Sequence, residues 1–211
     1  MKVKICGITN LADARFAAGA GADYLGYIQY PDSPRYILPE KAAEISAWVF
    51  GAESVGVFVD ESAEHVNRIT AMAKFDFVQL HGDETVATCA AINGRVIKAF
   101  KVKPGDNADD LARRIEPYLD VAEYVLLDAF SRDQIGGTGK TISWEVAAEL
   151  ASKFPLFLAG GISPDNVVEA IDAVDPFGVD LSSGVESAPG QKDFDKISRF
   201  MEIVRQDDEL L

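Results

Sequence analysis

The chain has 211 residues, 48% of them hydrophobic, and no apolar run near the roughly 20 residues of a bilayer span, so a large core and no membrane are expected. Lys and Arg number 20 against 34 Asp and Glu, a formal net charge of −14, which is the wrong sign for a nucleic-acid backbone. An anionic substrate would have to be held by a local arrangement of amides and cations.

The opening, Met1-Lys2-Val3, runs straight into a strand without a charged leader or signal-type apolar region, so a cytoplasmic protein is expected. The first predicted strand, Val3 to Thr9, places Cys6 immediately before Gly7. A helix follows from Asn10 to Gly21, then strand Tyr24 to Tyr30 and a Pro-rich loop, Pro31 to Tyr36. The next helix starts near Pro39, a residue suited to a first helical turn. The alternation continues with strands Ser54 to Val59, Phe77 to Leu80, Val96 to Val102, Tyr124 to Ala129, Leu156 to Ala159 and Gly178 to Ser182. Between and after them fall helices at 62–74, 84–92, 107–119, 143–153, 164–173 and 193–205.

Most of these strands are continuous apolar runs, as parallel strands covered on both faces require. Eight strand and helix units over 1–211 predict one α/β domain, a closed (β/α)8 TIM barrel. An open doubly wound sheet is the alternative, but Cys6-Gly7-Ile8-Thr9 is not the Gly-rich dinucleotide turn that would accompany it. Cys6 and Cys89 lack the spacing of a disulfide framework or zinc site, and His65 and His81 are too few for a metal centre.

A barrel of this kind carries its active site at the carboxyl ends of its strands. The residues there are Cys6, Arg35, Asp60, Gln79, His81, Lys98 or Lys101, Asp128, Gly160, Gly161, Asp180, Ser182, Ser183 and Gly184. A buried cysteine is more often a small hydrophobe than a nucleophile, so Cys6 needs partners. Asp128, between Leu126-Leu127 and Ala129-Phe130, has an apolar context that would favour its protonated form and suit a general acid. Arg35 offers a planar fork for a carboxylate, with Tyr36 beside it for an arene. His81 reads as a supporting residue. The Gly160-Gly161 pair ending strand 7 and the Ser182-Ser183-Gly184 turn ending strand 8 would present backbone amides to a phosphate, which solves the acidic-protein problem without net positive charge. Gly136-Gly137-Thr138-Gly139-Lys140-Thr141 fails the P-loop spacing and reads as a glycine-hinged lid, with Lys140 available to an anion.

Seven ordered stretches carry a resemblance across nearly the whole chain. They are Lys4 to Thr9, Ser33 to Tyr36, Val78 to Glu84, Leu127-Asp128, Gly136 to Thr141, Leu158 to Ile162 and Gly178 to Glu186. Together they resemble the phosphoribosylanthranilate isomerases of tryptophan biosynthesis. The resemblance implies an Amadori rearrangement of a small phosphosugar without cofactor or metal. It makes Cys6 the general base, Asp128 the general acid and Arg35 the ligand of the anthranilate carboxylate. One departure is Gln29, where the family usually has an apolar residue near the mouth, which bears on substrate packing. The histidine-pathway sugar isomerases generally place a carboxylate at the end of strand 1, against Cys6 here. A catalytically silent phosphate-binding barrel is the reading from another class. Trp48, Val49 and Phe50 leave monomer or homodimer open.

Overall fold

The computed structural model describes residues 1–102, 105–128 and 144–208. Eight parallel strands close into a barrel in chain order: β1 (Lys2–Cys6), β2 (Tyr24–Ile28), β3 (Glu53–Phe58), β4 (Phe77–Leu80), β5 (Arg95–Lys101), β6 (Tyr124–Asp128), β7 (Leu156–Ala159) and β8 (Gly178–Leu181). The seam between β8 and β1 pairs Val3 with Val179 and Lys4 with Asp180. Helices α1 (Leu11–Ala20), α2 (Pro39–Ser46), α3 (Ala63–Ala73), α4 (Val86–Ala90), α5 (Ala108–Ile115), α6 (Trp144–Ala151), α7 (Val167–Val174) and α8 (Phe194–Asp208) alternate with the strands. The expected (β/α)8 barrel is the observed fold. No helix among the described residues is long and apolar enough to cross a membrane.

Local chemistry explains the helix starts. Asn10, Ser62, Thr85 and Asn107 each accept a hydrogen bond from the amide three residues on, satisfying a donor that the first turn leaves orphaned. Helix α4 is shorter than the expected 84–92. Thr85 caps it late, and the Glu84 carboxylate turns away to Lys98 at 2.9 Å. The alternation also passed over a small hairpin between β8 and α8, β9 (Glu186–Ala188) and β10 (Gln191–Lys192). Runs this short carry no periodic signal.

Because successive side chains on a strand point to opposite faces, the barrel has two cores. Val3, Ile5, Leu25, Phe58, Val78, Leu80, Val125, Leu127, Leu158 and Leu181 face outward and pack in the layer shared with the helices. Cys6, Tyr24, Val57, Phe77, Ile97, Ala99, Leu126, Phe157 and Ala159 fill the interior. Near the strands' amino ends the interior is closed by rings. Tyr24 meets Phe77 and Phe157 edge-on at 5.5 and 5.6 Å, and Tyr124 stacks on Phe177 at 4.7 Å. Burying each ring contributes about 1.5–3 kcal/mol, so this floor is a main source of stability as well as a seal.

The same alternation corrects one expectation. Lys98 points out of the barrel, where its ammonium is buried against Glu84 and donates to the carbonyls of Gly82 at 2.8 Å and Ala99 at 3.0 Å. It braces the β4–α4 turn and takes no part in the mouth.

Candidate active site

With the amino end sealed by rings, the interior opens at the carboxyl ends of the strands. A pocket of about 470 Å³ there is lined by Cys6, Arg35, Gln79, His81, Asp128, Gly160, Gly161, Asp180, Ser182, Ser183 and Gly184. The fold thus brings the expected catalytic and binding residues to one cavity. Ile28, Tyr30, Val57 and Ala159 supply its apolar wall.

Cys6 is the last residue of β1 and faces inward above Gly26, its partner in β2. A Cβ on Gly26 would fall 2.6 Å from Cys6 Sγ, 3.0 Å from Cys6 Cα and 3.1 Å from Lys4 Nζ. The missing side chain is therefore what lets the thiol and an ammonium sit together over β2. Lys4, two residues earlier on the same face, donates to both carboxylate oxygens of Asp180 at 3.0 Å, and the pair is buried. Removing either partner would leave a buried charge uncompensated, at about 3–5 kcal/mol. Burial opposes the Lys4 charge, but Asp180 and Cys6 outweigh it and hold the ammonium. For Cys6 itself burial dominates and pushes the thiol up, with Lys4 and Lys192 pulling the other way. Gly26→Ala is expected to cost about 1–3 kcal/mol in urea denaturation through overpacking and to lower kcat by displacing Cys6. Unchanged turnover would show that the sulfur's place over Gly26 is immaterial.

Across the mouth, His81 Nε2 lies 3.0 Å from Asp128 Oδ2, and His81 Nδ1 lies 2.8 Å from Gln79 Nε2. With the Gln79 amide donating, Nδ1 accepts and the Nε2 proton points at Asp128. Residues 79, 81 and 128 all come from inward positions of β4, its end and β6. Ala129 and Phe130 of the apolar context expected for Asp128 lie outside the described residues. Leu127 turns outward into the helix layer, and the Asp128 side chain is 24% exposed at the mouth.

Arg35 reaches the mouth from the β2–α2 loop. Its Nε and Nη2 donate to the Glu186 carboxylate at 2.9 and 2.7 Å. Glu186 also receives Lys192 Nζ at 2.9 Å. Burial pushes the Glu186 carboxyl up, but Arg35 and Lys192 outweigh it and hold it below the usual range. Gly160 (φ 91°) and Gly161 (φ 74°) turn the chain after β7 through the left-handed region. A Cβ on Gly184 would collide with the Ile162 carbonyl oxygen, so the turns after β7 and β8 meet backbone to backbone.

A family model described as N-(5'-phosphoribosyl)anthranilate (PRA) isomerase matches residues 3–203. The protein so named in Geotalea uraniireducens is 52% identical over 203 residues, covering 95% of this chain and 96% of its own. The chain belongs to the PRA isomerase family. A solved structure of monomers generated from the dimeric phosphoribosylanthranilate isomerase of Thermotoga maritima is 41% identical with a TM-score of 0.85, covering 98% of this chain and 99% of its own. Another PRA isomerase, solved with reduced 1-(o-carboxyphenylamino)-1-deoxyribulose 5-phosphate, is 40% identical with a TM-score of 0.85 and the same coverage. The chain is accordingly an isomerase of tryptophan biosynthesis, an intramolecular aldose–ketose oxidoreductase by class.

As a PRA isomerase the chain departs from several of its sequence-based expectations. Gln29 does not line the mouth. Its Nε2 donates to the Ile37 carbonyl at 3.3 Å and ties down the β2–α2 loop. Tyr30 stands at the mouth where Tyr36 was expected, because Tyr36 is bridged to Ile28 along the loop. Asp60 (φ 53°) accepts the Asp83 amide at 2.6 Å and shapes the β3–α3 turn. Lys101 is exposed and lies outside the pocket lining. The stretch Gly136 to Thr141 with Lys140 lies outside the described residues. Sequence reading missed Lys4, Glu186 and Lys192. For Lys4 a signal existed, since a charged residue on the same strand face as Cys6 must enter the barrel and find a partner there.

Proposed function

We propose that the barrel mouth converts N-(5-phosphoribosyl)anthranilate to 1-(2-carboxyphenylamino)-1-deoxyribulose 5-phosphate, with Cys6 as general base and Asp128 as general acid. The observation that carries this reading is that Cys6 and the Asp128–His81 pair line one cavity with the glycine turns that end β7 and β8. Asp128 donates a proton to the ribose ring oxygen as the bond from that oxygen to C1 breaks, leaving an iminium between C1 and nitrogen. The iminium makes the C2 proton acidic. The Cys6 thiolate removes that proton, and the electrons of the C2–H bond form the C1–C2 double bond of an enolamine. Protonation at C1 and loss of the enol proton give the ketone.

The phosphate would lie on the backbone of Gly160, Gly161, Ser182, Ser183 and Gly184, and Arg35 would take the anthranilate carboxylate. Gln79, His81 and Asp180 complete the polar lining. The test is direct: purified protein given N-(5-phosphoribosyl)anthranilate should consume it with loss of anthranilate-type fluorescence. Binding without turnover would leave only a phosphosugar-binding barrel.

The one-domain, cytoplasmic reading is part of the same proposal, and so is a homodimer. Trp48 and Phe50 are 68% and 85% exposed in the turn between α2 and β3, an uncommon cost for rings in contact with water. A related enzyme of the family is described as dimeric. Light scattering on a gel-filtration column should give twice the chain mass, and Phe50→Glu should give the single mass. Parent protein running as a monomer would overturn the dimer.

A further inference from the structure

The hairpin after β8 brings a second buried cation to the end of β1. Lys192 is the last residue of β10, and its ammonium donates to the carbonyl of Cys6 at 2.6 Å, to the carbonyl of Ser182 at 3.2 Å and to Glu186 Oε1 at 2.9 Å. Its backbone amide donates to Asp13 Oδ2 at 2.9 Å, which fastens the hairpin to α1. The turn is fastened as well, since Thr9 Oγ1 donates to the Gly190 carbonyl.

The charged groups facing Cys6 come from several elements. Lys4 lies on its own strand, Asp180 on β8 and Lys192 on β10. Arg35 comes from the β2–α2 loop with Glu186 of β9 behind it, and His81 and Asp128 stand across the mouth. Their charges do not all cancel. Lys4 is matched by Asp180, whereas Lys192 and Arg35 share the single carboxylate of Glu186. That trio carries one net positive charge at the end of β1. Burial pulls the Lys192 charge down against Glu186 and Cys6, and the Asp13 carboxylate on the Lys192 amide is the further anion beside it.

We propose that Lys192 is a positioning residue of the reaction: its ammonium holds the end of β1 through the Cys6 carbonyl and, with Arg35, supplies the uncompensated positive charge that stabilises the Cys6 thiolate. The proposal rests on the reading of Cys6 as the general base. Burial by itself drives the thiol toward its neutral form and Asp180 adds to that, Lys4 opposes them most strongly, and Lys192 adds its charge to that of Lys4.

Two variants separate this charge effect from a merely structural one, because they change the net charge of the trio in opposite directions. Lys192→Met keeps an unbranched apolar stem in the buried slot and leaves Glu186 paired with Arg35, a net charge of zero. Glu186→Gln leaves Lys192 on its carbonyls and raises the net charge. The readout is the pH dependence of Cys6 alkylation by iodoacetamide, followed on its own peptide by mass spectrometry, alongside the pH profile of kcat/KM. In Lys192→Met the alkylation midpoint should rise by about one pH unit, so that the rate at pH 7 falls about tenfold. In Glu186→Gln it should fall, and the acid limb of kcat/KM should follow in both. Midpoints that stay at the parent value, or that move the same way in both variants, would overturn the role of Lys192 and leave Cys6 as base. Opposite alkylation shifts with an unmoved kcat/KM limb would instead remove Cys6 as base, and with it the place of Lys192 in the reaction. If Lys192→Met does not fold, the direction of the Glu186→Gln shift decides.

Discussion

Replacing Cys6 by serine is expected to lower kcat by about 10²- to 10⁴-fold, the usual share of a positioned acid or base, while the circular dichroism spectrum stays that of the parent. Serine fits the space above Gly26 and keeps the Cys6 carbonyl on Lys192. What it loses is an ionisable atom, since a hydroxyl near Lys4 stays protonated where a thiol need not. The pH dependence follows from the same site. Burial pushes the thiol up against Lys4 and Lys192, and a base works only when deprotonated. Hence kcat/KM should rise with pH on the limb that reports the Cys6 thiol, which is displaced above the ordinary thiol range, and fall on the limb that reports loss of the proton Asp128 must donate. Full activity in Cys6→Ser would transfer the base to another residue, and an acid limb near neutrality would contradict the environment described for the sulfur.

Asp128→Asn is expected to reduce kcat by a comparable factor, about 10²- to 10⁴-fold, with KM changed only a few-fold. The amide oxygen can still accept from His81 Nε2 at the 3.0 Å separation, so the mouth keeps its shape and loses only a transferable proton. Steady-state kinetics with the phosphoribosylated substrate measures both parameters. A rise in KM with kcat preserved would make Asp128 a binding group and leave ring opening without its acid. His81→Gln, which removes the ring held between Gln79 and Asp128, should lower kcat less than Asp128→Asn, because the proton donor itself remains.

The strand-end logic worked because it depends on a property local to each strand. An apolar run that turns polar marks where a strand leaves the barrel, and Cys6, His81, Asp128 and Ser182 all sit at such a change. The glycine turns were legible for a related reason, since glycines at strand ends mark backbone that must bend sharply or approach closely, as Gly160, Gly161 and Gly184 do. The errors have a common origin as well. Lys98, Gln29 and Tyr36 are polar or aromatic residues near strand ends, and only inward or outward orientation separates them from the residues of the mouth.

The alternation of apolar strands and helices, together with the ordered motifs, determined the eight-stranded barrel, its family and the residues at its mouth, because periodicity and strand-end polarity are written in contiguous sequence. Only the tertiary structure decided which charges meet. Lys4 and Asp180 are 176 positions apart, Arg35 and Glu186 are 151 apart, and Lys192 reaches Cys6 across 186. Such pairs are set by barrel closure between β8 and β1 and by the short hairpin from Glu186 to Lys192, and neither leaves a periodic trace in the chain.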